Sequence, residues 1–242
     1  MKTETTVIAY DIHDVTEYIN WLYFFHSWGF QPRFATIAQI HGCDACRASW
    51  LASFPKEDIS KAAEAMQLHK EAQRMLNALD GKFKVYAMYR LMDAYADGDD
   101  LLLDGVRFPL LRQQTHVRED DPYLCLSDFV RPLEQGIADT VGAFAATIDE
   151  EMEKPFEDDD YKRMLIKTLG ERLAEAAVEK MHQHIRKHVW SYAPDENLNM
   201  QQLLNEEYQG IRPAIGYPSL PDISTSHILD ELLQLKCIGI RL

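Results

Sequence analysis

Near the end of the chain, one proline-rich segment carries residue types that bind small polar ligands: Glu206–Asp222, EEYQGIRPAIGYPSLPD. Proline fixes φ and favours extended conformations before it, so we predict a stiff, irregular ribbon whose backbone polar groups are not used in a β-ladder. Arg212 offers a fork of donors for a carboxylate, Gly216 permits close backbone approach, and Tyr217 combines an apolar face with a polar tip. Glu206 can accept a hydrogen bond from an amine or a hydroxyl. The alternative is a rigid turn that covers the sheet without binding anything.

Two groups of histidine and cysteine residues invite a metal interpretation. His41, Cys43 and Cys46 in HGCDAC contain Cys-x-x-Cys, which is half of a zinc site. The sequence has no second pair at a suitable distance, so two loop thiols are favoured and no metal is predicted. His184 and His188 are one helical turn apart but lack the intervening glutamate of a metalloprotease. They are predicted to form a basic, solvated face.

The composition excludes several classes of function. A formal net charge of -14 over 242 residues disfavours nucleic acid and acidic membrane surfaces as partners. The sequence has no Walker loop, Rossmann glycine set or Gly-x-Ser-x-Gly, so neither phosphate cradling nor acyl transfer is indicated. It shows no signal peptide and no run long enough to span a membrane, and its four cysteines are too sparse for a disulfide framework. A cytoplasmic protein is predicted.

Helices are predicted wherever apolar residues recur at spacings of three and four. The first begins after Thr16 as its cap, and two long helices cover residues 56–79 and 161–190. In the second long helix, Gly170 marks a place where another element packs closely. Short helices are predicted near residues 201–207 and from Ser224 onward.

Strands are predicted between the two long helices. The stretch KFKVYAMYRL alternates apolar and polar residues, which is typical of a half-buried strand, and a turn then leads to a hairpin partner from Leu101. Further strands are predicted at Val106–Leu111, Tyr123–Val130 and Val141–Ile148. Because no helical crossover separates them, the sheet is predicted to be antiparallel and the fold class α+β.

The region around the ribbon resembles a known family, the C-terminal activation domain of cobalamin-dependent methionine synthase. The block WSYAPDENLNMQQLLNEEYQGIRPAIGYPSLPD, from Trp190 to Asp222, is similar to the family's block ending in Tyr-Gln-Gly-Ile-Arg-Pro-Ala-Pro-Gly-Tyr-Pro. Shorter similarities upstream are YINWLYFF at Tyr18, LRQQ at Leu111, YLCLSDFV at Tyr123, GAFA at Gly142 and DDYKRMLIKTLGERLAEA at Asp159. Nearly the whole chain is covered.

The resemblance implies a C-shaped single domain with a twisted antiparallel sheet flanked by helices, which binds S-adenosylmethionine. In the family, the ligand is held against the corrinoid so that inactive cobalamin is methylated back to methylcobalamin. By position, Arg212 would pair with the ligand carboxylate, and Glu206, Ala214, Gly216 and Tyr217 would belong to the pocket. The implied role is that of a methyltransferase component without a catalytic residue of its own. Its implied partners are a corrinoid-binding methionine synthase, or its cobalamin module, and a flavodoxin-type reductant. The corrinoid-binding partner, and not this chain, would hold the cobalamin.

The chain also departs from the family pattern. Asn20 stands where the family has an aspartate that faces the ligand's ammonium, and the lost charge-assisted hydrogen bond is worth about 1.5 to 3 kcal/mol. The chain ends at CIGIRL, where the family domain continues with a segment that completes the adenosine side. We therefore expect a single domain over residues 1–242, with residues 1–15 as an N-terminal extension, acting in trans as a separately encoded domain. The alternative is a non-catalytic protein-interaction module on the same scaffold that has lost S-adenosylmethionine binding.

Overall fold

The fold is α+β, as predicted, with helices packed on an antiparallel sheet. The computed structural model describes residues 2–115 and 122–242. The strands in this part of the chain are β1 (Thr6–Asp11), β2 (Lys84–Asp97), β3 (Asp100–Leu103), β4 (Val106–Phe108) and β5 (Asp139–Ile148). The helices are α1 (Ile12–Thr16), α2 (Trp21–Ser27), α3 (Pro32–Ala35), α4 (Asp44–Ala52), α5 (Ile59–Leu79), α6 (Asp160–His184), α7 (Met200–Leu204) and α8 (Ser226–Leu233).

The sheet is organised around β2, its longest strand. β2 pairs antiparallel with β1, β3 and β5, and β4 continues the sheet beyond β3. Tyr89 of β2 lies opposite Thr6 on one side and Phe144 on the other. The predicted strand at KFKVYAMYRL and its hairpin partner are therefore confirmed, and the strand is longer than the stretch that predicted it.

The two faces of β2 belong to two separate hydrophobic clusters. Since successive side chains of a strand point to opposite faces, alternate residues of β2 meet different neighbours. The larger cluster lies on the side of α5 and α6, and the smaller one on the side of α8. The first contains Val85, Ala87, Tyr89 and Leu91; the second contains Met88, Met92 and Ala94.

Helix α6 crosses β5 and carries the side chains that later form the candidate site. A Cβ atom added at Gly170 would lie 2.5 Å from Cδ1 of Ile148, so the predicted close packing at this glycine is confirmed. The helix continues into a π-helical turn, Ile185–Val189, in which the Trp190 N–H donates to the Ile185 carbonyl at 2.9 Å. Together, these elements account for the predicted helix over residues 161–190.

Two predicted strands are wrong in whole or in part. Residues 123–130 form no strand; a 3-10 turn spans Leu126–Phe129 instead, and the Cys125 N–H donates to the Asp128 carboxylate at 2.8 Å. β4 ends at Phe108 rather than at Leu111, because Pro109 has no N–H to donate to a ladder.

The start of the chain also differs from the prediction. β1 and most of α1 lie within residues 1–15, and β1 is a strand of the sheet that was not predicted. Thr16 does not cap the next helix; it ends α1, and its hydroxyl donates to the Ile12 carbonyl at 2.7 Å. Asn20 caps α2 instead, because its Oδ1 accepts from the Leu22 N–H at 3.2 Å. In residues 2–115 and 122–242, no helix has the length and apolar character needed to cross a membrane.

Candidate functional site

The ribbon, residues 206–222, is irregular, as its prolines predict. Its only pairing of strand type among the described residues is an isolated bridge between Tyr217 and Leu220. Within that turn, the Gly216 N–H donates to the Leu220 carbonyl at 2.8 Å, and the Tyr217 N–H donates to the Ala214 carbonyl at 3.3 Å. The backbone at Ala214 and Gly216 is thus partly engaged in the ribbon's own turn, whereas the sequence predicted that it would be free.

Arg212 is oriented by an acidic side chain of α6. Its Nη2 donates to both carboxylate oxygens of Glu179, at 2.7 and 3.0 Å. Its Nε is buried and has no hydrogen-bond acceptor among the described residues. A buried donor without an acceptor is costly, so a ligand oxygen that reaches this edge when the covering side chains shift would stabilise the guanidinium.

A second arginine lies beneath this pair, in what we call the charge layer: Glu179, His182, Arg186, Glu196 and Tyr208. Arg186 is fully buried and donates from Nε and Nη2 to the two carboxylate oxygens of Glu196, at 2.7 and 2.8 Å. Its Nη1 donates to Nδ1 of His182 at 2.8 Å, and its guanidinium carbon lies 4.0 Å from the centroid of the Tyr208 ring. The cation is therefore held by a carboxylate, an imidazole and an aromatic face.

Burial dominates the protonation behaviour of the charge layer. It lowers the pKa of His182 to about 3, with further lowering by Arg186 and Arg212, so this imidazole is neutral and can accept from Arg186. It raises the pKa of Glu179, an effect that the two arginines oppose by stabilising the carboxylate. The pKa of Tyr208 is also raised by burial, which keeps its hydroxyl protonated.

Glu206 lies beside the same group of charges. It follows α7 with a positive φ of 58°, a conformation that turns the chain from the helix into the ribbon. Its side chain is exposed, yet its charge contributes to raising the pKa of both Glu179 and Tyr208. Glu206 and Arg212 both act electrostatically on Glu179, which is compatible with a single ligand site.

The segment before α2 contacts α6 near this group, but Asn20 faces a different space. Its neighbour Tyr18 donates a hydrogen bond to the Gln183 side chain at 2.8 Å, one helical turn after Glu179. Asn20 itself lines a cavity of about 1050 Å³ that also contacts Met200 and Leu204 of α7. The ribbon does not contribute to the described lining of this cavity.

The predicted residues therefore form an open surface rather than one enclosed pocket. Arg212 is paired with Glu179, the charge of Glu206 acts on the same carboxylate, and Asn20 faces the cavity beside α7. Gly216 and Tyr217 are exposed in the far turn of the ribbon, where 60% of the Tyr217 surface is accessible.

Sequence reasoning missed Glu179, Arg186 and Glu196, which orient the site. A weak signal was present, since Glu179 lies three residues after Ala176 of the predicted stripe and Arg186 directly follows Ile185, in the π-helical turn after α6. A charged residue at such a position is buried only when it is paired, so each should have prompted a search for a partner. His184 and His188, by contrast, are exposed, as predicted.

These features define an α+β domain that presents an oriented arginine beside a buried acidic side chain. Two comparisons with known proteins make the assignment more specific. The family model described as "Vitamin B12 dependent methionine synthase, activation domain" matches residues 11–242. The crystal structure of the MetH reactivation domain bound to AdoHcy is similar over 100% of this chain and 73% of that chain, with a TM-score of 0.84 and 32% sequence identity. The chain belongs to the family of activation domains of vitamin B12-dependent methionine synthase.

Proposed function

We propose that this chain binds S-adenosylmethionine on the Arg212 surface and supports reductive methylation of cobalamin held by a partner protein. The observation that carries the proposal is the buried Nε of Arg212, which has no acceptor among the described residues while Nη2 is fixed by Glu179. A ligand carboxylate would satisfy this donor once the side chains that cover it move aside, because charge-assisted bonds to a guanidinium are strong and directional. The similar MetH domain was crystallised with AdoHcy, which carries such a carboxylate on an amino-acid chain.

The charges around Arg212 also suit the rest of the ligand. S-adenosylmethionine carries an ammonium and a sulfonium, and both cations favour a site with more acidic than basic groups. Glu206 is exposed beside Arg212, and the chain as a whole has a net charge of -14. The nucleoside would lie against the exposed turn of the ribbon that contains Gly216 and Tyr217.

The contribution of this chain is binding and orientation. S-adenosylmethionine supplies the methyl group, and cobalamin belongs to the partner, which we propose to be a corrinoid-binding methionine synthase or its cobalamin module. A flavodoxin-type protein is the proposed source of the electron. Arg212 and Glu206 would hold the amino-acid end of the ligand, so that its methyl group is presented toward the partner.

Titration calorimetry with S-adenosylmethionine tests the ligand half of this proposal. Arg212→Ala is expected to weaken binding at least tenfold, because a hydrogen bond to a charged group contributes about 1.5 to 3 kcal/mol. Arg212→Lys keeps the charge but loses the Nε donor, and an intermediate affinity is expected. Arg163→Ala, at an exposed arginine of α6, is the matched control and should bind like the unchanged chain.

Thermal melts of each variant separate lost binding from lost folding. No heat from the unchanged chain at millimolar S-adenosylmethionine would refute the ligand half of the proposal.

Asn20 favours a second candidate, a protein-interaction module that keeps the scaffold without the ligand. Its Oδ1 is used to cap α2, and it brings no negative charge to the ligand's ammonium. This candidate predicts that the chain binds a corrinoid protein with the same affinity whether or not S-adenosylmethionine is added. Binding that strengthens with S-adenosylmethionine supports the first proposal and contradicts the second.

A further inference from the structure

Three metal-ligating side chains converge in the loop that leads into α4. The imidazole of His41 and the thiols of Cys43 and Cys46 each offer a ligand atom, and these atoms all lie within 4.8 Å of one another. Cys43 is the N-cap of α4, and its Sγ accepts from the Cys46 N–H at 3.3 Å. Both cysteines are half-buried and reduced, and His41 is exposed.

We propose that His41, Cys43 and Cys46 bind one thiophilic divalent cation of the zinc type, with a fourth coordination position open to water. Zinc–sulfur distances of about 2.3 Å and zinc–nitrogen distances of about 2.0 Å place tetrahedral ligand atoms roughly 3.5 to 4 Å apart. The ligand atoms of the observed cluster lie within 4.8 Å of one another, close to this spacing. Two thiolates and an imidazole select zinc-like ions over magnesium or calcium, which prefer oxygen ligands.

The sequence contains no second cysteine pair, which disfavours a site with four protein ligands. It does not exclude a site with three. A closed structural site needs four protein ligands, whereas a site with an open position needs three. His41 can supply the third ligand because its imidazole lies within 4.8 Å of both thiols at the start of α4. The expected consequence of binding is that this loop becomes fixed to the helix.

Charge balance at the cluster is set by the ligands and by one nearby cation. An incoming cation forms bonds to the two sulfurs and displaces to solvent the protons that the thiols carry. Arg47 beside the loop opposes the cation, and its pairing with Asp44 partly offsets its charge.

Cobalt(II) is the probe, because a tetrahedral site with thiolate ligands gives it intense visible bands and a charge-transfer band. One equivalent added to the reduced full chain is expected to produce both signals, and one equivalent of zinc should abolish them. Cys46→Ser and His41→Ala are each expected to weaken cobalt binding at least tenfold. Cys237→Ser removes an exposed thiol outside the cluster and should leave binding unchanged.

The proposal is overturned by any of three results. The first is the absence of a charge-transfer band from the reduced chain. The second is His41→Ala binding cobalt as tightly as the unchanged chain, since the histidine would then not be a ligand. The third is loss of binding in Cys237→Ser. Circular dichroism establishes that the variants are folded, and since the readout does not involve S-adenosylmethionine, the outcome is independent of the proposed function.

Discussion

The two halves of the ribbon are held in different ways. The first half, from Glu206 to Arg212, is anchored in the charge layer: its own Tyr208 is only 8% exposed, and its Arg212 is paired with Glu179 of α6. The second half, from Pro213 to Leu220, is closed by its own turn, and 60% of the Tyr217 surface is accessible. The first half contains a glycine but no proline, and the ribbon's three prolines all follow Arg212, so proline stiffness does not explain why the first half is the one held by the charge layer.

The difference shows that the orientation of Arg212 comes from long-range charge pairing. Prolines restrict the backbone of the ribbon, but the direction of the guanidinium is set by a carboxylate that lies 33 residues earlier in the chain. We therefore expect the first half to act as a rigid holder and the second half to adapt to a ligand. Three predictions test this contrast, in order of decreasing effect.

Glu196→Gln is expected to have the largest effect, because it leaves the fully buried Arg186 without a carboxylate. Breaking one partner of a buried pair costs about 3 to 5 kcal/mol, and the free energy of unfolding from urea denaturation measures it. Tyr217→Ala, in the second half, should change this free energy by less than about 0.5 kcal/mol.

The matched control for this experiment is Glu207→Gln at an exposed glutamate. The double variant Arg186→Met, Glu196→Leu should recover much of the loss, since an apolar pair leaves no unpaired charge. Similar losses for Glu196→Gln and Tyr217→Ala would contradict the contrast between the halves.

The charge layer should also make stability depend on pH through His182. Its pKa is about 3 in the folded chain against an ordinary 6.5, so the unfolded chain takes up a proton that the folded chain does not. Stability therefore falls as pH decreases from 6.5 toward 3, and this residue alone removes up to about 2 kcal/mol between pH 6.5 and about pH 5.

His182→Gln should flatten this part of the pH profile, because glutamine keeps an acceptor for Arg186 but does not titrate. The measurement is the free energy of unfolding at several pH values. His227→Gln, at an exposed histidine, is the control and should leave the slope unchanged. Parallel profiles for His182→Gln and the unchanged chain would show that the imidazole is not held neutral.

Asn20→Asp is expected to have the smallest effect on stability. Asparagine and aspartate cap helices equally well, so the free energy of unfolding should change by less than about 0.5 kcal/mol. The new charge should strengthen S-adenosylmethionine binding about tenfold, which is about 1.4 kcal/mol. Asn199→Asp, at the cap of α7, adds the same charge and controls for it. Unchanged affinity in Asn20→Asp would favour the protein-interaction module.

Much of the fold could be predicted from local patterns. The alternation in KFKVYAMYRL predicted β2, and helical spacing predicted α5 and α6, because one face of each element is buried. The strand predicted over residues 123–130 failed because Asp128 bonds to the Cys125 N–H and to Arg112, which favours a turn. Side-chain bonds of this kind are not visible in the alternation of apolar residues.

The candidate site could be predicted only in part. Arg212, Gly216 and Tyr217 could be proposed from the sequence because their chemistry is local to one segment and because that segment resembles a family. Glu179 and Glu196 were not, since their roles depend on contacts with residues 33 and 10 positions away. Periodicity predicts that a helix face is buried, but it does not identify which charged residue on that face has a partner.

The π-helical turn at the end of α6 has a consequence for how this region can diverge. A π turn contains one residue more than an α turn, and each residue of a helix rotates the chain by about 100°. Loss of one residue from Ile185–Val189 would therefore swing the following segment around the helix axis and carry Glu196 away from Arg186. We expect homologues to vary here by substitution rather than by insertion or deletion.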